Sequence, residues 1–596
     1  MNTSDFLMRR LIEWGVTRVY GYPGDGINGV MGAFGRIQEG KIEFIQVRHE
    51  EMAAFMACAH AKFTGEVGVC MATSGPGAIH LLNGLYDAKM DHMPVVAIVG
   101  QAATTVMGGS YQQEVDLQQL FEDVSDYVDT VTSPMAVRHV IDRAFRTAIG
   151  YRGVAAIVLP KDIQEESFQE PPHKHNTLHS SIGYLPPVVT PHPSDLRAAA
   201  EILNQGERVA ILVGAGALGA RDEVIALAER LHAGVAKALL GKAVLPDDLP
   251  YVTGTIGLLG TAPSFEMMEH CDTLLMVGTS FPYAEFLPKE GQARGIQIDI
   301  DPANLGLRYP TELNLVGDAA PTLFELLPLL EQKSDRRWVD RLAKAKEKWN
   351  EQELARASVS ADPINPQLLF VSLNERLPND AIVTGDAGTA TNWYARNIKM
   401  RGRMKGSLSG GLATMGSAVP YAIAAKFAFP DRVAIACTGD GAMQMNGNAE
   451  LLTVAKYWKR WSDPRIIFLV LDNDDLNQVT WEMRVMSGDP KFQPSQDLPP
   501  FDYARYAEQL GFVGIRVERP EDVDAAWDRA FAADRPVIVD AKVSADVAQL
   551  PPHITFEEAH NYFSAMVKGD PDEASVLKES VKGVLAGILP RRDSKK

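Results

Sequence analysis

The sequence predicts an α/β protein of three doubly wound parallel-sheet domains followed by a C-terminal helical tail. Two observations support this fold class. Short apolar runs rich in Val and Ile alternate with longer amphipathic segments along the chain: PVVAIV, VAAIVL, VAILV, LLMV, VAIAC, IIFLVL and VIV. Each run has the length of a strand and is bounded by Gly, Asp or Pro. Strands that are apolar throughout and separated by helices are typical of parallel sheets covered on both faces.

Composition and charge restrict the class of protein. The 596 residues are 46% hydrophobic and 22% charged, which is ordinary for globular proteins. The net charge of −18 disfavours nucleic acid as a partner. Four cysteines in no metal-ligand spacing predict reduced, buried thiols: Cys58, Cys70, Cys271 and Cys437. Because the chain has neither a spanning-length apolar run nor a signal-peptide pattern, we expect a cytoplasmic protein.

Two breaks in composition divide the chain. Residues 165–194 are rich in Pro, His and Ser, and residues 332–365 are strongly charged. Both are predicted as linkers. The sequence therefore predicts domains at residues 1–165, 190–330 and 365–545, with a tail at 546–596.

The third domain carries a candidate metal and phosphate site. Gly439-Asp440-Gly441 follows one buried run, and the next buried run ends at Asp472-Asn473. The carboxyl ends of parallel strands form one ligand-binding edge. Carboxylate, amide and backbone carbonyl oxygens suit Mg²⁺. A helix predicted to begin near residues 446–448 offers another end that binds anions.

This pattern resembles the signature of the thiamine diphosphate (ThDP) enzymes, in which Gly-Asp-Gly is followed by a closing Asn-Asn. Here Asp472 replaces the first Asn. The resemblance implies that Asp440, Asn473 and the backbone carbonyl of Asp475 bind Mg²⁺. It also places the cofactor against five further residues, which are Gly441, Ala442, Ala413, Thr414 and Met415.

Met415 matches the bulky apolar residue that folds the cofactor into its V shape; the alternative is a core residue that fills a gap. The loop at residues 385–389, together with Trp393, resembles one that helps to hold the diphosphate.

In the first domain, the segment VRHEEMAAF matches the start of the helix that carries the catalytic glutamate. The resemblance assigns this role to Glu50, which would hydrogen-bond the pyrimidine N1′; Glu51 is the alternative. It places Pro76 in the pyrimidine pocket and Gln113 near the reacting carbon. In this family the two halves of a site come from different subunits, so a homodimer or homotetramer is implied.

The middle domain contains Gly214, Gly216 and Gly219 in the order G-x-G-x-x-G. An acidic residue about 20 positions later, typical of nicotinamide sites, is missing. The strings GTSFPYAEF and IQIDIDPANLG resemble the FAD-binding domain of the pyruvate oxidase branch. That resemblance implies flavin contacts from Gly214, Gly216, Thr279, Ser280, Phe281, Pro282, Tyr283 and Asp299. The alternative is a domain that has lost its nucleotide.

One position separates the oxidase branch from acetohydroxyacid synthase. The oxidase pattern has a Glu where the synthase has a Trp, and Glu482 stands there. Two usual aromatic residues of the oxidases are replaced by Gln112 and Gln478, which predicts a more polar pocket unless both amides are exposed.

The resemblance implies ThDP-, Mg²⁺- and FAD-dependent decarboxylation of a 2-oxo acid, either pyruvate or a more polar analogue. Electrons would pass through the flavin to a quinone or oxygen. The alternatives are carboligation with a structural FAD and a non-catalytic ThDP-binding paralogue.

Residues 574–590 predict an amphipathic helix that is followed by Arg591, Arg592, Lys595 and Lys596. A basic amphipathic end can lie on a membrane, which would give peripheral contact with its inner face. The alternative is a helix docked on the body of the protein.

Overall fold

Three six-stranded parallel sheets form the framework of the molecule and confirm the predicted fold class. The computed structural model describes residues 1–37, 41–548 and 556–588. The first sheet contains β1 (Arg18–Gly21), β2 (Glu43–Gln46), β3 (Gly68–Ala72), β4 (Val95–Gln101), β5 (Tyr127–Thr130) and β6 (Val154–Pro160). The middle sheet contains β7 (Val209–Val213), β8 (Gly234–Lys237), β9 (Val252–Thr255), β10 (Thr273–Val277), β11 (Arg294–Asp299) and β12 (Leu313–Val316). The third sheet contains β13 (Ile382–Gly385), β14 (Lys405–Ser407), β15 (Ala434–Gly439), β16 (Ile466–Asp472), β17 (Val513–Val517) and β18 (Val537–Lys542).

Helices cover the faces of these sheets. Those of the first domain are α1 (Thr3–Glu13), α2 (Asn28–Arg36), α3 (Glu50–Thr64), α4 (Pro76–His80), α5 (Leu82–Met90), α6 (Leu117–Glu122), α7 (Ala136–Tyr151) and α8 (Lys161–Glu165). The middle domain has α9 (Pro193–Gln205), α10 (Arg221–Leu231), α11 (Ala262–His270) and α12 (Ala319–Leu326), and α13 (Arg337–Ala357) follows it. The third domain has α14 (Pro366–Arg376), α15 (Thr389–Asn397), α16 (Ala418–Ala428), α17 (Asp440–Ala442), α18 (Asn448–Tyr457), α19 (Asn477–Glu482), α20 (Gln493–Gln496), α21 (Tyr503–Gln509) and α22 (Val523–Phe531). The tail forms α23 (Phe556–Val567) and α24 (Glu573–Ile588).

Strand order shows where ligands can bind. The first sheet runs β2-β1-β3-β4-β6-β5, and the third repeats this order as β14-β13-β15-β16-β18-β17. The middle sheet runs β12-β11-β10-β7-β8-β9. The order reverses between β1 and β3, between β7 and β10, and between β13 and β15. Crevices at such switch points, at the carboxyl ends of the strands, are the usual ligand sites of open α/β sheets.

The first and third domains share one core. Helices α3 and α16 pack against each other, and both are rich in alanine and buried over most of their length. Small side chains allow two helix backbones to approach closely, so the first domain is fixed against the third. The four cysteines are buried and free, as expected.

The second predicted linker is a packed helix. Trp338 on α13 donates a hydrogen bond of 3.0 Å from Nε1 to the Val209 carbonyl, and Leu342 is fully buried in the middle domain. The charged composition reflects the outer face of this helix, whereas its apolar residues contact the middle sheet.

The described part of the tail docks on the third domain. Arg484, which follows α19, forms a buried bidentate pair with Asp570, with N–O distances of 2.8 and 2.7 Å. The rings of Trp481 and Tyr562 are stacked nearby. Helix α23 and the start of α24 are therefore docked on the body of the protein. The basic end at residues 591–596 lies outside the described residues. Among the described helices, none is long and apolar enough to cross a membrane.

Candidate active site

The end of β15 presents a buried carboxylate to the end of β16. Asp440 is 3% exposed, and its Oδ2 accepts hydrogen bonds from the backbone N–H groups of Asn473 at 2.8 Å and Asp474 at 2.7 Å. Burial raises the pKa of Asp440 to about 6. A buried carboxylate is stabilised by a nearby cation. The two sequence motifs thus meet at one edge, and their oxygen donors fit a hard divalent ion.

The side chain of Asp475 is committed to protein partners. Its carboxylate accepts hydrogen bonds from Thr480 Oγ1 at 2.9 Å and Asn477 Nδ2 at 3.1 Å, and Lys491 Nζ lies 3.1 Å away. These partners fix the turn that follows Asn473. This arrangement fits the expectation that Asp475 contributes its backbone carbonyl rather than its carboxylate.

The helix after Gly439 begins earlier than the sequence predicts. It starts at Asp440, not near residues 446–448, and passes through a π-helical segment at Met443–Gly447 before α18. The N–H groups of Gly441 and Ala442 therefore lie in the first turn, directly beside Asp440, where a helix favours anions. Open space lies above Gly439, because an added Cβ there would meet no atom within 4 Å. This end of the helix fits a diphosphate.

Two carboxylates hold the segment Ala413–Met415 from its two sides. Asp91 accepts hydrogen bonds from the N–H groups of Gly410 and Gly411, at 2.9 and 2.6 Å. Asp386, fully buried after β13, accepts from Gly416 at 2.7 Å and Ala418 at 3.0 Å.

Between these anchors, Ala413 has a left-handed φ of +53°. Strained backbone of this kind persists where its surroundings over-determine it, and it is common at ligand sites. Met415 is only half-buried in the single chain. Thr414 accepts a hydrogen bond of 3.1 Å from Asn83 of the first domain.

Glu50 lies at the first residue of α3 and is 8% exposed. Its Oε2 lies 3.0 Å from His80 Nδ1, and its Oε1 would lie 3.1 Å from a Cβ added at Gly77. The His49 and His80 rings are 4.4 Å apart. Glu50 therefore faces the turn that contains Pro76, as expected for the pyrimidine side. Glu51 contacts Asn83 and Asn446 instead.

Gln113 lies beside the same turn. Its Oε1 accepts a hydrogen bond of 3.1 Å from Ser74 Oγ, and its backbone is left-handed, with φ of +62°. Gly75 packs against it, because an added Cβ would lie 2.9 Å from Gln113 Cβ. The structure thus brings Glu50, Pro76 and Gln113 to one end of the first sheet. Gln112 is exposed in the single chain.

Gln478 and Glu482 share one face of α19. Gln478 Nε2 donates a hydrogen bond of 2.9 Å to Glu482 Oε1, and Asn392 Nδ2 donates one of 3.0 Å to Gln478 Oε1. Gln478 is half-buried between these two hydrogen-bond partners, so its amide group is not the fully exposed one of the alternative interpretation. The amide orients Glu482, a role that an aromatic ring at this position would not perform.

The predicted flavin residues meet at the switch point of the middle sheet. Gly214 and Gly216 follow β7, Thr279 follows the neighbouring β10, and Asp299 ends β11. Thr279, Phe281 and Asp299 are buried, whereas Ser280, Pro282 and Tyr283 are exposed. Asp299 Oδ1 accepts a hydrogen bond of 3.0 Å from the Asp301 N–H, and burial raises its pKa.

Close packing explains why Gly214 and Gly216 carry no side chain. A Cβ at Gly214 would lie 2.3 Å from the Gly278 carbonyl oxygen, and one at Gly216 would lie 2.7 Å from Gly278 Cα. The loops after β7 and β10 therefore touch backbone to backbone and close the floor of the crevice. The position and chemistry of this crevice fit a dinucleotide.

Three features of the site were not predicted from the sequence: His80, Asp91 and the anchoring role of Asp386. His80 had a usable signal, because it lies four residues after Pro76 and so shares a helix face with it. Asp91 had no such signal, because the two glycines that it anchors lie more than 300 positions away.

The fold and the geometry of the site define the class of protein. It is an α/β enzyme whose third domain is suited to a metal-bound diphosphate. Three sequence models of one family match the chain. They are the thiamine pyrophosphate enzyme N-terminal TPP binding domain at residues 1–120, the central domain at 196–326 and the C-terminal TPP binding domain at 386–541. Thiamine pyrophosphate is another name for ThDP.

Similar proteins agree with the family models. The putative thiamine pyrophosphate-containing protein YdaP of Bacillus subtilis is 37% identical over 97% of this chain and 99% of its own length. Pyruvate oxidase of Lactiplantibacillus plantarum is 32% identical over 91% and 88%, respectively. Acetolactate synthase isozyme 3 large subunit of Escherichia coli is 30% identical over 91% and 95%. The chain belongs to the thiamine pyrophosphate enzymes, within a family that decarboxylates 2-oxo acids.

Proposed function

We propose that this protein uses ThDP, Mg²⁺ and FAD to decarboxylate a 2-oxo acid and to pass the electrons through the flavin to a quinone or oxygen. The observation that carries the proposal is that the chain has two candidate cofactor positions. One is the metal-binding edge of the third sheet, and the other is the switch point of the middle sheet, where the predicted flavin residues meet. A carboligase or decarboxylase needs only the first for its chemistry.

In the third domain, Asp440, Asn473 and the Asp475 carbonyl would hold Mg²⁺. The first turn of the helix would receive the diphosphate, through the N–H group of Ala442 and through that of Gly441, which donates a hydrogen bond of 2.8 Å to Asp440 Oδ1 in this structure and would have to exchange that partner. Met415, fixed between the Asp91 and Asp386 anchors, would support the cofactor from below, beside Ala413 and Thr414. Bound ThDP supplies the electron sink that decarboxylation of a 2-oxo acid requires.

In the first domain, Glu50 would hold a proton at the pyrimidine N1′. His80, 3.0 Å from Glu50 Oε2, orients the carboxyl group. Pro76 and Gly77 shape the surface against which the pyrimidine would lie. The short distance from Gly77 to Glu50 Oε1 leaves no room for a side chain between them.

The substrate would lie between Gln113 and Glu482. Both side chains are held by hydrogen bonds, from Ser74 and Gln478 respectively. The Asn392–Gln478–Glu482 chain makes this wall polar, which favours pyruvate or a more polar 2-oxo acid over one with a large apolar group.

The flavin would occupy the middle crevice, with Gly214 and Gly216 at its floor. Thr279, Ser280, Phe281, Pro282 and Tyr283 would form one wall, and Asp299 would accept a hydrogen bond from a ribose or ribityl hydroxyl group. Support comes from the position of these residues after three adjacent strands.

A second copy of the chain would complete each site. The hydrogen bond of Glu50 is to His80 of its own domain, and Gln113 is exposed in the single chain. Large apolar side chains are exposed near both half-sites, among them Ile79, Met445 and Leu452. A homodimer or homotetramer would bury them.

The acetolactate synthase relatives favour carboligation as the second candidate, with FAD in a structural role. To separate the two, the protein loaded with ThDP, Mg²⁺ and FAD is incubated anaerobically with a panel of 2-oxo acids, and then with a quinone or oxygen added. Oxidative decarboxylation predicts CO₂ release that depends on the acceptor. Acetolactate or acyloin formed without any acceptor supports carboligation. Release of no CO₂ from any acid would point to the non-catalytic paralogue.

A further inference from the structure

Three carboxylates converge at the metal-binding edge. Oxygen atoms of Asp440, Asp472 and Asp474 all lie within 4.8 Å of one another. Two of these acids flank Asn473, the amide expected to bind the metal. Asp472 is 1% exposed and stands where the family signature has an amide, so this chain carries an additional buried carboxyl group beside the metal ligand.

Lys542, the last residue of β18, pairs with both flanking acids. Its Nζ lies 2.9 Å from Asp472 Oδ1 and 2.8 Å from Asp474 Oδ2. Arg516 also approaches Asp472, at 3.3 Å, but it lies closer to Asp540, at 2.6 Å. Lys542 is therefore the main cation that neutralises the two acids beside Asn473. Asp440, in contrast, is held by backbone N–H groups.

The same lysine fixes the local backbone. Asp474 has a left-handed φ of +55°, and its N–H donates to Asp440 Oδ2. Lys542 contacts both Oδ1 and Oδ2 of Asp474, at 3.0 and 2.8 Å. Asn473 thus lies between two residues that one ammonium group holds in place.

We propose that Lys542 makes metal binding depend on the diphosphate. While Lys542 occupies Asp472 and Asp474, the edge offers a divalent ion one carboxylate without a cationic partner, that of Asp440, and the diphosphate must supply the remaining negative charge. Without Lys542, three carboxylates face one another and bind the ion unaided. Carboxylate count is a main determinant of affinity for hard divalent cations. This inference rests on the metal position given in the proposed function.

The test uses Mn²⁺ as the probe and the full-length protein without ThDP, with free Mn²⁺ measured by electron paramagnetic resonance. Wild type binds Mn²⁺ weakly alone and more tightly after ThDP is added. Lys542→Gln binds Mn²⁺ alone at least about tenfold more tightly, because two carboxylates lose their ammonium partner and become available to the ion. A unit charge within about 4 Å is worth roughly a decade or more in affinity. Lys542→Arg keeps the charge and behaves as wild type.

The double variant Lys542→Gln/Asp474→Asn lacks one of the two carboxylates that Lys542 neutralises. It should lose most of the increase in Mn²⁺ affinity that Lys542→Gln shows. Circular dichroism checks the fold of each variant, and Lys542→Met, which keeps the aliphatic stem, replaces Lys542→Gln if that variant is unfolded. Equal ThDP-free affinity in wild type and the Lys542 variant overturns this inference alone. A wild-type protein that binds no Mn²⁺ even with ThDP overturns the proposed metal site as well.

Discussion

The backbone N–H of Arg48 donates a hydrogen bond of 3.0 Å to Oε2 of Glu450, a fully buried side chain on α18. Arg48 lies two residues before Glu50. A third-domain side chain therefore fixes the start of the helix that carries the candidate catalytic acid of the first domain. Burial raises the pKa of Glu450 to about 7.

This buried acid predicts a pH-dependent stability. Because the pKa is raised on folding, the folded protein keeps a proton between the unfolded value of 4.5 and about 7. The contribution of Glu450 to the free energy of unfolding is then most favourable at low pH and falls as the pH rises through this window. In Glu450→Gln this titration is missing. The difference in free energy of unfolding between Glu450→Gln and wild type should therefore rise by roughly 3 kcal/mol from pH 4.5 to pH 7.5. Urea unfolding at both pH values measures the difference; parallel pH profiles would show that Glu450 titrates normally.

Glu50→Gln should abolish fast exchange of the C2 proton of bound ThDP. The amide cannot hold the proton that the carboxyl group shares with the pyrimidine. Proton exchange followed by nuclear magnetic resonance after quenching measures the rate. The matched control is Glu51→Gln, because Glu51 contacts Asn83 and Asn446 instead. It should keep exchange within about one order of magnitude of wild type, a loss of no more than about 1.4 kcal/mol. Fast exchange in Glu50→Gln would refute the assignment.

Gly214→Ala should impair flavin retention. The added methyl group would lie 2.3 Å from the Gly278 carbonyl oxygen, so the loops after β7 and β10 must separate, at a cost of about 1–3 kcal/mol. Gly219→Ala is the control within the same motif, because no atom lies within 4 Å of its added Cβ. Flavin content after purification and thermal unfolding compare the two. Equal flavin loss in both variants would remove the close approach as the reason for Gly214.

Arg484→Met should release the tail. The change leaves Asp570 buried without its partner, which typically costs about 3–5 kcal/mol. Hydrogen exchange should increase in α23 and in residues 483–487, while the three sheets stay protected. The KM of the substrate should rise, because α19 and Glu482 precede the released segment directly.

Asp572→Asn is the milder control for the tail, since Asp572 is one-third exposed. A tail that stays protected in Arg484→Met would mean that the apolar contacts of Trp481 and Tyr562 suffice for docking.

The sheets could be predicted from the sequence because their strands are buried on both faces. Each of the seven apolar runs matches a strand to within one residue at its start, and VAILV coincides with β7. The meeting of Asp440 with Asn473 followed from the same reasoning, because β15 and β16 are neighbours.

Other features depend on tertiary contacts that leave no local pattern. The helix at Asp440 starts at a residue with little intrinsic helix preference, and its π-helical segment at residues 443–447 has no sequence signature. The anchoring of Gly410 and Gly411 by Asp91 and the docking of α23 through Arg484 likewise join distant segments.

The most direct test of electron transfer through the flavin is anaerobic mixing of the holoprotein with a 2-oxo acid, starting with pyruvate, while the flavin absorbance is recorded. The proposed reaction predicts that the oxidised flavin is bleached in a single turnover and recovers when a quinone is added, and that Glu50→Gln shows no bleaching. Consumption of the 2-oxo acid while the flavin stays oxidised would contradict electron transfer through FAD.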